Sequence, residues 1–465
     1  MIAIRMARRI WHAPGLMWGA SIVTRLAGLA LLLPVALRML PPAEAGLWFL
    51  LSTLISLLSL ADFGFGQTFI RAVAYTRASE GGMAPAERTA VLATMRHIYD
   101  RIGLGVLLIG GTLGTLALLR PVAATQAPGM SWVCWGFVLS VAAVHIRCGM
   151  YAAYLQGVER IAPFRRWELL SSAGSILAAL VALGVGAGLV GLVLTFHAGL
   201  LVNALVNRHL ARSGPDRQRW RAPARRDPET WRRVWPAAWR SGLGVLMMFG
   251  TVQASGLFYA QVGAVGQVAA YLLALRLVDA LMMIARVPFY VQIPGFARLF
   301  AAGHESELVS RARSAMASSA WAFALGSLTL GLAGPQALAM IGSETPFVSP
   351  PVWWTLALAN MLMLAGAMHI QLYTVTNHVV WHISNGISGA VMLALMPPFF
   401  AALGLVGLPL ATMTGVAVFY LPYAATKARR RFRMAFDTRD VVGWVTPALI
   451  LGALLAVSVG TQGHW

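Results

Sequence analysis

Five ionisable side chains lie within stretches of the chain that are otherwise apolar. They are Arg25, Asp62, Arg147, Arg276 and Asp279. A charge at the centre of a lipid bilayer costs about 2.5–3.5 kcal/mol on insertion scales, so such residues usually face a cavity or a partner of opposite charge. A guanidinium group presents a planar fork of N–H donors that fits phosphate oxygens in pairs. The arginines therefore predict a site for an anionic ligand.

The arginines differ in how easily a neighbouring acid can neutralise them. Arg276 and Asp279, in ALRLVDAL, are three residues apart and share one face of a helix. An intrahelical ion pair is therefore the alternative to ligand binding there. Arg25 has no acid at three or four residues' distance, so this alternative is weaker at that position. Arg147 lies in the inner half of its apolar stretch.

The stretch SLADFGFGQTFIR, residues 59–71, ends an apolar run with polar and glycine residues. On an ideal helix Asp62 and Arg71 point in opposite directions, so they can pair only if Gly64 and Gly66 bend the helix. One interpretation is an ordinary helix exit with close packing at the glycines. The other is an inner gate at Asp62 and Arg71, where Asp62 pairs with an arginine of the other half of the chain.

Histidine spacing gives little support for metal chemistry. His378 and His382 are four residues apart, as in a metal pair, but no suitable third ligand stands nearby, so no metal site is expected. His145 and His197, on apolar helices, are either hydrogen-bonded core residues or proton carriers. No nucleophile elbow, phosphate loop or pair of catalytic carboxylates is found, so no enzymatic activity is expected.

The composition identifies the class of protein that must position these residues. Hydrophobic residues make up 58% of the 465 residues, charged residues 11%, and the mean hydropathy is +0.70. A soluble domain of this length does not have such a composition. A helix needs about 20 apolar residues to cross a bilayer, and we predict thirteen such spans, at 14–37, 46–66, 100–119, 131–155, 168–186, 189–206, 241–262, 267–286, 314–333, 352–373, 380–400, 404–424 and 441–459.

The placement of the basic residues sets the predicted orientation. The chain has 36 basic and 16 acidic residues. With a cytoplasmic N-terminus, nearly all basic residues outside the spans fall in cytoplasmic segments, the exceptions being Arg38 and Arg120. This is the positive-inside pattern, so nucleic-acid binding is not expected. The Arg- and Trp-rich segment 207–239 is interpreted as a cytoplasmic linker with interfacial tryptophans, or alternatively as a binding segment for anionic lipid headgroups.

An internal repeat organises the spans. GLVGLVLTFHAG at 188–199 and GLVGLPLATMTG at 404–415 share seven of twelve residues at an offset of 216, and each opens the sixth span of a six-span block. Because each block has an even number of spans, the repeat is parallel, as in transporters that rock about a central site. The chain is therefore predicted to contain an N-terminal six-helix bundle at 1–206, the linker at 207–239, a C-terminal six-helix bundle at 240–424, and a basic loop with one extra span at 425–465.

The segments that surround the embedded charges resemble those of a known family. These segments are GLWFLLSTLISLLSLADFGFGQTFIRAVA, YLQGVERIAPFRRWELLSS, GLVGLVLTF and AYLLALRLVDALMMIARVPFYVQIPGFARL. They resemble polysaccharide (O-antigen-type) flippases of the multidrug/oligosaccharidyl-lipid/polysaccharide (MOP) exporter superfamily. The resemblance covers roughly residues 14–430. The odd thirteenth span departs from the family, whose members commonly have twelve or fourteen.

This resemblance implies a function and roles for the embedded charges. It implies alternating-access transport of undecaprenyl-pyrophosphate-linked oligosaccharide across the bacterial inner membrane by a monomer. Membrane lipids and polysaccharide polymerase or assembly proteins are the further partners. Arg25 and Arg276 would bind pyrophosphate or acidic sugar, with Arg147 as a third ligand. The resemblance implies no cofactor. It implies that transport is coupled to a proton or sodium gradient or to the membrane potential, with Asp279 as the coupling acid.

Two other functions fit the same composition. A polytopic glycosyltransferase or polymerase would need acids or a sizeable loop at the outer face, where Glu44 and Glu344 are nearly alone. A multidrug exporter of the same superfamily would share the fold but bind organic cations. Acidic cavity walls, rather than arginines, would favour that exporter.

Overall fold

The fold is helical throughout the part of the chain that can be described. The computed structural model describes residues 24, 28, 30–78, 85–221, 223, 225–376, 378 and 380–462. In these ranges every regular element is a helix and no β-strand occurs. Ten helical runs there are long and apolar enough to cross a membrane. The predicted all-α, multi-pass membrane fold is confirmed.

The chain divides into two compact units, residues 1–243 and 244–465. The first unit contains α1 (Ala30–Met39), α2 (Pro42–Ser59), α3 (Phe65–Ala78), α4 (Pro85–Ile109), α5 (Thr115–Ala123), α6 (Pro128–Gly157), α7 (Ile161–Gly184), α8 (Gly188–Arg212) and the first part of α9 (Pro228–Val262). A π-helical turn at Gly110–Gly114 joins α4 to α5. α8 packs along both α6 and α7, and these three helices line a large cavity of the unit.

The second unit is built from the remaining helices. They are the end of α9, α10 (Val265–Ala285), α11 (Val287–Tyr290), α12 (Ile293–Ala301), α13 (Glu305–Met340), α14 (Pro350–Thr374), α15 (Trp381–Leu403), α16 (Gly407–Gly415), α17 (Leu421–Phe432), α18 (Thr438–Asp440) and α19 (Thr446–Gln462). α14 is almost completely buried and packs against the helices around it. The extra C-terminal span predicted at 441–459 lies in α19 and the π-helical turn before it.

The repeat seen in the sequence corresponds to a repeated local structure. Gly188 and Gly404 both have a positive φ, of 56° and 59°, a conformation that glycine adopts without strain. Gly199 and Gly415 both lie against a neighbouring helix. A Cβ atom at either position would come within 2.9 Å or 2.8 Å of a serine carbonyl oxygen on that helix. Glycines at repeat-equivalent positions therefore have a positive φ and make a close helix contact in both units.

The segment 207–239 packs onto the first unit. Trp220 is buried, and its ring lies against the rings of Tyr151 and Tyr154, with centroids 4.9 Å and 5.3 Å apart. The backbone carbonyl of Trp220 accepts a hydrogen bond of 2.9 Å from the guanidinium of Arg96. A segment whose charges suggest a solvated linker is therefore anchored by an aromatic cluster.

A buried acid makes a second anchor for this segment. Asp216 is only 1% exposed and accepts a hydrogen bond of 2.8 Å from the hydroxyl of Tyr154. It also pairs with Arg219, and with Arg88 at 3.7 Å. A buried carboxylate is tolerated only when it is paired and hydrogen-bonded in this way.

The start of α9 has its own cap. The Thr230 backbone N–H and hydroxyl each donate a hydrogen bond of 2.8 Å to the Asp227 carboxylate. These two bonds lower the pKa of the Asp227 carboxyl below its ordinary value, because they stabilise the charged form. The backbone N–H of Asp227 in turn donates to the hydroxyl of Thr94 at 2.9 Å, which ties the start of α9 to α4.

Candidate functional site

The charged stretch at the end of α2 forms a sharp break in the chain. A short 3₁₀ turn, Leu60–Asp62, follows α2, and Phe63 and Gly64 then adopt left-handed conformations with φ of 46° and 71°. The carboxylate of Asp62 accepts a hydrogen bond from the Tyr99 hydroxyl and one of 2.9 Å from the Gly66 N–H. Asp62 therefore stabilises the break and helps to start α3.

The inner-gate hypothesis stays a prediction. Arg71 lies on α3 with an exposed side chain. Among the residues that the structure describes, Asp62 forms no ion pair with it. The carboxylate is hydrogen-bonded to Tyr99 within its own unit, so a gate built on Asp62 would have to break that hydrogen bond.

Of the three arginines predicted to bind substrate, Arg147 has a partner within the first unit. Its Nε atom lies 2.7 Å from the Oδ1 atom of Asp100 on α4. The stem of Arg147 lies close to Gly103, where a Cβ atom would come within 3.3 Å of it. Arg147 thus points toward α4, and the cavity described below is lined by other residues of α6. Arg25 lies outside the described residues.

In the second unit, two arginines and an aspartate lie along one face of α10, the last of them being Arg286 at the C-cap. Arg276, Asp279, Met283 and Arg286 are spaced by three, four and three residues, so they stand above one another on the helix. Asp279 and Met283 are exposed and the two arginines are half-buried, whereas residues such as Val278 on the opposite side are buried in the unit. The row therefore carries two guanidinium groups and one carboxylate.

Asp279 is surrounded by groups that interact with a carboxylate. Arg276 and Arg286 both lie close enough to interact with it electrostatically, and Gln253 on α9 hydrogen-bonds to it. The Nε atom of Arg286 is buried, and in the described part of the chain it has no hydrogen-bond partner. Asp279 balances only one of the two guanidinium charges, so the row has an excess positive charge.

The first unit encloses a cavity of about 500 Å³. Its walls come from Gly28 and from α1, α2, α6, α7 and α8. The lining residues are Gly28, Leu32, Leu33, Trp48, His145, Cys148, Gly149, Ala152, Phe164, Glu168, Ser171, Ser172, Ser175, Ile176, Phe196, Gly199, Leu200, Asn203, Ala204 and Asn207. This size falls within the range of small-molecule sites, about 300–1,000 Å³.

Polar side chains form a hydrogen-bonded ladder along one wall of this cavity. The Nδ2 atom of Asn207 donates to Oδ1 of Asn203 at 2.9 Å, and Nδ2 of Asn203 donates to the Ser171 hydroxyl at 3.3 Å. The Ser171 hydroxyl donates to the carbonyl oxygen of Trp167 at 2.7 Å. The ladder fixes the amides of α8 against α7 and leaves polar atoms facing the cavity.

Glu168 is a lining residue that the sequence analysis did not select. Its carboxylate pairs with Arg165 one turn earlier on α7. The sequence did contain a signal for it, because Glu168, Ser171, Ser172 and Ser175 repeat at three, four and seven residues. This spacing places a polar stripe on one face of an otherwise apolar helix. Asn203 and Asn207, four residues apart, form the matching stripe on α8.

A smaller cavity, of about 220 Å³, adjoins the first one on α6. Asp62 and Tyr99 line it, and His145, Gly149 and Ala152 line both cavities. His145 thus stands between the two spaces, which was not evident from its position on an apolar helix. His197, in contrast, is buried with Nδ1 2.9 Å from the Val193 carbonyl oxygen.

Among the described residues, the space at the equivalent helix pair of the second unit is much smaller. Where α15 meets α16, the space is about 20 Å³, and its lining includes Asn385, Ser388, Met392 and Tyr420. Met392 lies against Gly415, the repeat partner of Gly199. Side chains therefore fill in one unit the space that stays open in the other.

The described residues contain no group of three or more metal-ligating side chains placed to hold an ion. His378 is exposed, and its Nδ1 atom lies 3.0 Å from the carbonyl oxygen of Thr376. Neither unit therefore offers, in these ranges, a site that a metal ion would occupy through several protein ligands.

Comparison with known proteins identifies the fold. No protein-family model matches the sequence, and no curated protein matches it. An inward-facing multidrug-resistance transporter of the MATE family of the MOP superfamily has a TM-score of 0.60 at 16% identity, covering 93% of this chain and 95% of that one. The lipid II flippase MurJ, in an inward closed conformation, has a TM-score of 0.61 at 10% identity, covering 96% and 98%.

A MATE protein in the bent conformation is also similar, with a TM-score of 0.52 at 14% identity over 97% of this chain and 98% of that one. The first of the three is described as a transporter and the second as a flippase, and the similarity extends over nearly the whole chain. The chain therefore has the MOP/MATE-like fold with two repeated units, as the sequence predicted. At these identities the likeness establishes the fold alone.

Proposed function

We propose that this protein is an alternating-access flippase that moves undecaprenyl-pyrophosphate-linked oligosaccharide from the cytoplasmic to the outer leaflet of the bacterial inner membrane. The substrate would serve the biosynthesis of surface polysaccharide. The observation that carries the proposal is the row Arg276, Asp279 and Arg286 on α10 of a chain with the MOP fold.

The row suits an anionic headgroup for a physical reason. A guanidinium within an apolar helix costs about 2.5–3.5 kcal/mol on insertion scales unless a partner compensates it. Asp279 can balance one such charge, and two are present. A pyrophosphate can accept paired N–H bonds from the second guanidinium, including the unused Nε of Arg286. In this proposal Arg25 and Arg147 add further positive charge along the path.

Asp279 is proposed as the coupling acid. It lies between two arginines and a hydrogen-bonding glutamine, Gln253. A bound pyrophosphate would compete with Asp279 for the arginines, so release of the carboxylate would allow it to take up a proton or a sodium ion. Such an exchange links the transport step to an ion gradient or to the membrane potential. Asp62 and Arg71 are kept as the proposed inner gate.

One observation favours a second function, a multidrug exporter of the MATE type. The cavity of the first unit combines a carboxylate, Glu168, with aromatic rings such as Trp48 and Phe196. Organic cations bind to such surroundings. The pairing of Glu168 with Arg165 argues against this function, because it neutralises the carboxylate.

The proposal includes the location, orientation, oligomeric state and partners of the protein. We infer a monomer in the inner membrane with a cytoplasmic N-terminus, in contact with membrane lipids and near polysaccharide polymerase or assembly proteins. The placement of the basic residues, nearly all of which fall in the predicted cytoplasmic segments outside the spans, supports this orientation.

Reconstitution into proteoliposomes tests the proposed function. Vesicles that contain the purified chain are loaded with an undecaprenyl-pyrophosphate-linked disaccharide, and the fraction that reaches the opposite leaflet is measured with a lectin that cannot cross the membrane. We expect movement faster than in protein-free vesicles. Movement at the protein-free rate, together with uptake of a fluorescent organic cation, would favour the exporter instead.

A further inference from the structure

Three buried polar atoms around the large cavity of the first unit are unsatisfied. They are Nε1 of Trp48, Nδ1 of His145 and Oδ1 of Asn207, and none has a hydrogen-bond partner in the described ranges. Leaving a buried polar atom unpaired costs about 1–3 kcal/mol, and native proteins contain few such atoms. Three on the wall of one cavity indicate that a ligand completes their hydrogen bonds.

The types of these atoms define the chemistry of that ligand. Trp48 Nε1 can only donate, and Asn207 Oδ1 can only accept. His145 Nδ1 donates or accepts according to the tautomer of the imidazole. A phosphate group, which accepts but does not donate when ionised, cannot satisfy Asn207 Oδ1. Hydroxyl groups both donate and accept, so a polyhydroxylated ligand fits all three.

The rest of the lining fits the same ligand. Aromatic rings of Trp48, Phe164 and Phe196 form part of the wall, and the rings of Trp48 and Phe196 meet edge to face at 6.2 Å. A sugar ring has apolar C–H faces that pack on aromatic rings and a polar rim of hydroxyl groups. The ladder of Asn203 and Ser171 offers further polar atoms to that rim.

We propose that the cavity of the first unit binds one or two sugar residues of the transported glycolipid, through hydrogen bonds to Trp48, His145 and Asn207. This inference rests on the proposed function and adds to it. The arginines of α10 would recognise the anionic linkage, and a separate site within the first unit would recognise the sugar. The filled space at the equivalent helix pair of the second unit, of about 20 Å³, agrees with a sugar site built in one unit.

The test measures binding of two lipids to the full-length protein in detergent. One is an undecaprenyl-pyrophosphate-linked disaccharide of N-acetylhexosamine and hexose, and the other is undecaprenyl pyrophosphate without sugar. Trp48→Phe and Asn207→Leu each remove one hydrogen-bonding atom and keep most of the side-chain volume. For each variant, we expect the preference for the sugar-bearing lipid to fall about tenfold, with little change in binding of the sugar-free lipid.

Matched control variants make the same chemical changes away from the cavity. Trp353→Phe removes a ring nitrogen that already donates to the Ser327 carbonyl oxygen, and Asn360→Leu removes an amide that donates to Leu356. Both residues are buried in the second unit. These controls are expected to lower the melting temperature while the preference for the sugar-bearing lipid stays at the wild-type value.

The melting temperature without lipid separates a ligand-binding role from a structural one. Because Trp48→Phe removes an unpaired buried N–H, we expect an unliganded melting temperature equal to or above that of wild type. A marked decrease would indicate a structural role and overturn the inference, as would a wild-type lipid preference in both cavity variants.

The wild-type protein separates the two proposals. Equal binding of both lipids would refute the sugar site and leave the proposed pyrophosphate recognition standing. Binding of neither lipid would refute the proposed function and the sugar site together.

Discussion

The buried acid Asp216 offers a sharp test of how the segment 207–239 is held. The variant Asp216→Ala removes the acceptor of the Tyr154 hydroxyl and the partner of Arg219 and Arg88. A hydrogen bond to a charged group contributes about 1.5–3 kcal/mol, and a buried hydroxyl left unpaired costs about 1–3 kcal/mol. The arginines stay partly exposed, so their loss adds little.

These contributions predict that Asp216→Ala destabilises the attachment of the segment by about 2–4 kcal/mol. Each 1.4 kcal/mol changes an equilibrium tenfold, so the detached state becomes about 30- to 1,000-fold more populated. Trypsin cuts after arginine, and Arg217, Arg219 and Arg221 lie in this stretch. When opening and closing are fast, the cleavage rate follows the population of the detached state. We therefore expect cleavage within the segment 207–239 to accelerate by the same factor.

Two further variants control this experiment. Asp216→Asn keeps an acceptor for Tyr154 but loses the charge, so its cleavage rate should lie between those of wild type and Asp216→Ala. Glu229→Ala removes an exposed ion pair with Arg233 in the same region, and such pairs contribute little, so its rate should stay within about twofold of wild type. Cleavage of Asp216→Ala at the wild-type rate would refute the anchoring argument.

Further predictions concern packing and pH. Gly199→Ala places a Cβ atom 2.6 Å from the Ser175 Cβ and 2.9 Å from the Ser171 carbonyl oxygen, so we expect destabilisation by about 1–3 kcal/mol in thermal unfolding. Gly174→Ala, with no atom within 4 Å, should instead stabilise by up to about 1 kcal/mol. Hydrogen bonds lower the pKa of Asp227 in the folded state, so its contribution is present above the unfolded pKa of about 3.9 and is lost as the pH falls through the folded pKa. The hydrogen-exchange protection factor at the start of α9, which corrects for the intrinsic pH dependence of amide exchange, should therefore fall on acidification in wild type but not in Asp227→Ala.

The helical membrane fold could be predicted from the sequence because a bilayer requires apolar helices of a certain length. The 188–199 and 404–415 repeat falls once in each of the two units, and Gly188 and Gly404 both have a positive φ. This agreement follows because glycine adopts a positive φ without strain, so a glycine in the sequence marks a position where the backbone can take that conformation.

The contacts of individual charges were not predictable in the same way. Arg147 pairs with Asp100, which is 47 positions earlier in the sequence, and only the packing of α4 on α6 brings them together. The segment 207–239 has the composition of a solvated linker, but Trp220 and Asp216 are buried in the first unit. Such pairings depend on tertiary contacts that no local pattern encodes.

The cavity of the first unit was partly detectable. The polar stripe at Glu168, Ser171, Ser172 and Ser175 has helical spacing and could have been found by counting polar positions along the helix. The stripe is less conspicuous than the embedded arginines because uncharged serine costs less in a membrane than arginine, and Glu168 is the first residue of the predicted span 168–186. His145 could not be assigned at all, since its role depends on which side of α6 faces the open space.

The most direct measurement for the central claim is the flipping rate of Arg276→Ala in proteoliposomes. The control is Arg311→Ala, which removes an exposed arginine of α13 paired with Glu307. Loss of a charged hydrogen-bond donor to the pyrophosphate is worth about 1.5–3 kcal/mol, so flipping of the lipid-linked disaccharide should slow about 10- to 150-fold in Arg276→Ala and stay near the wild-type rate in Arg311→Ala. A wild-type rate in Arg276→Ala would contradict recognition of an anionic headgroup by the arginine row of α10.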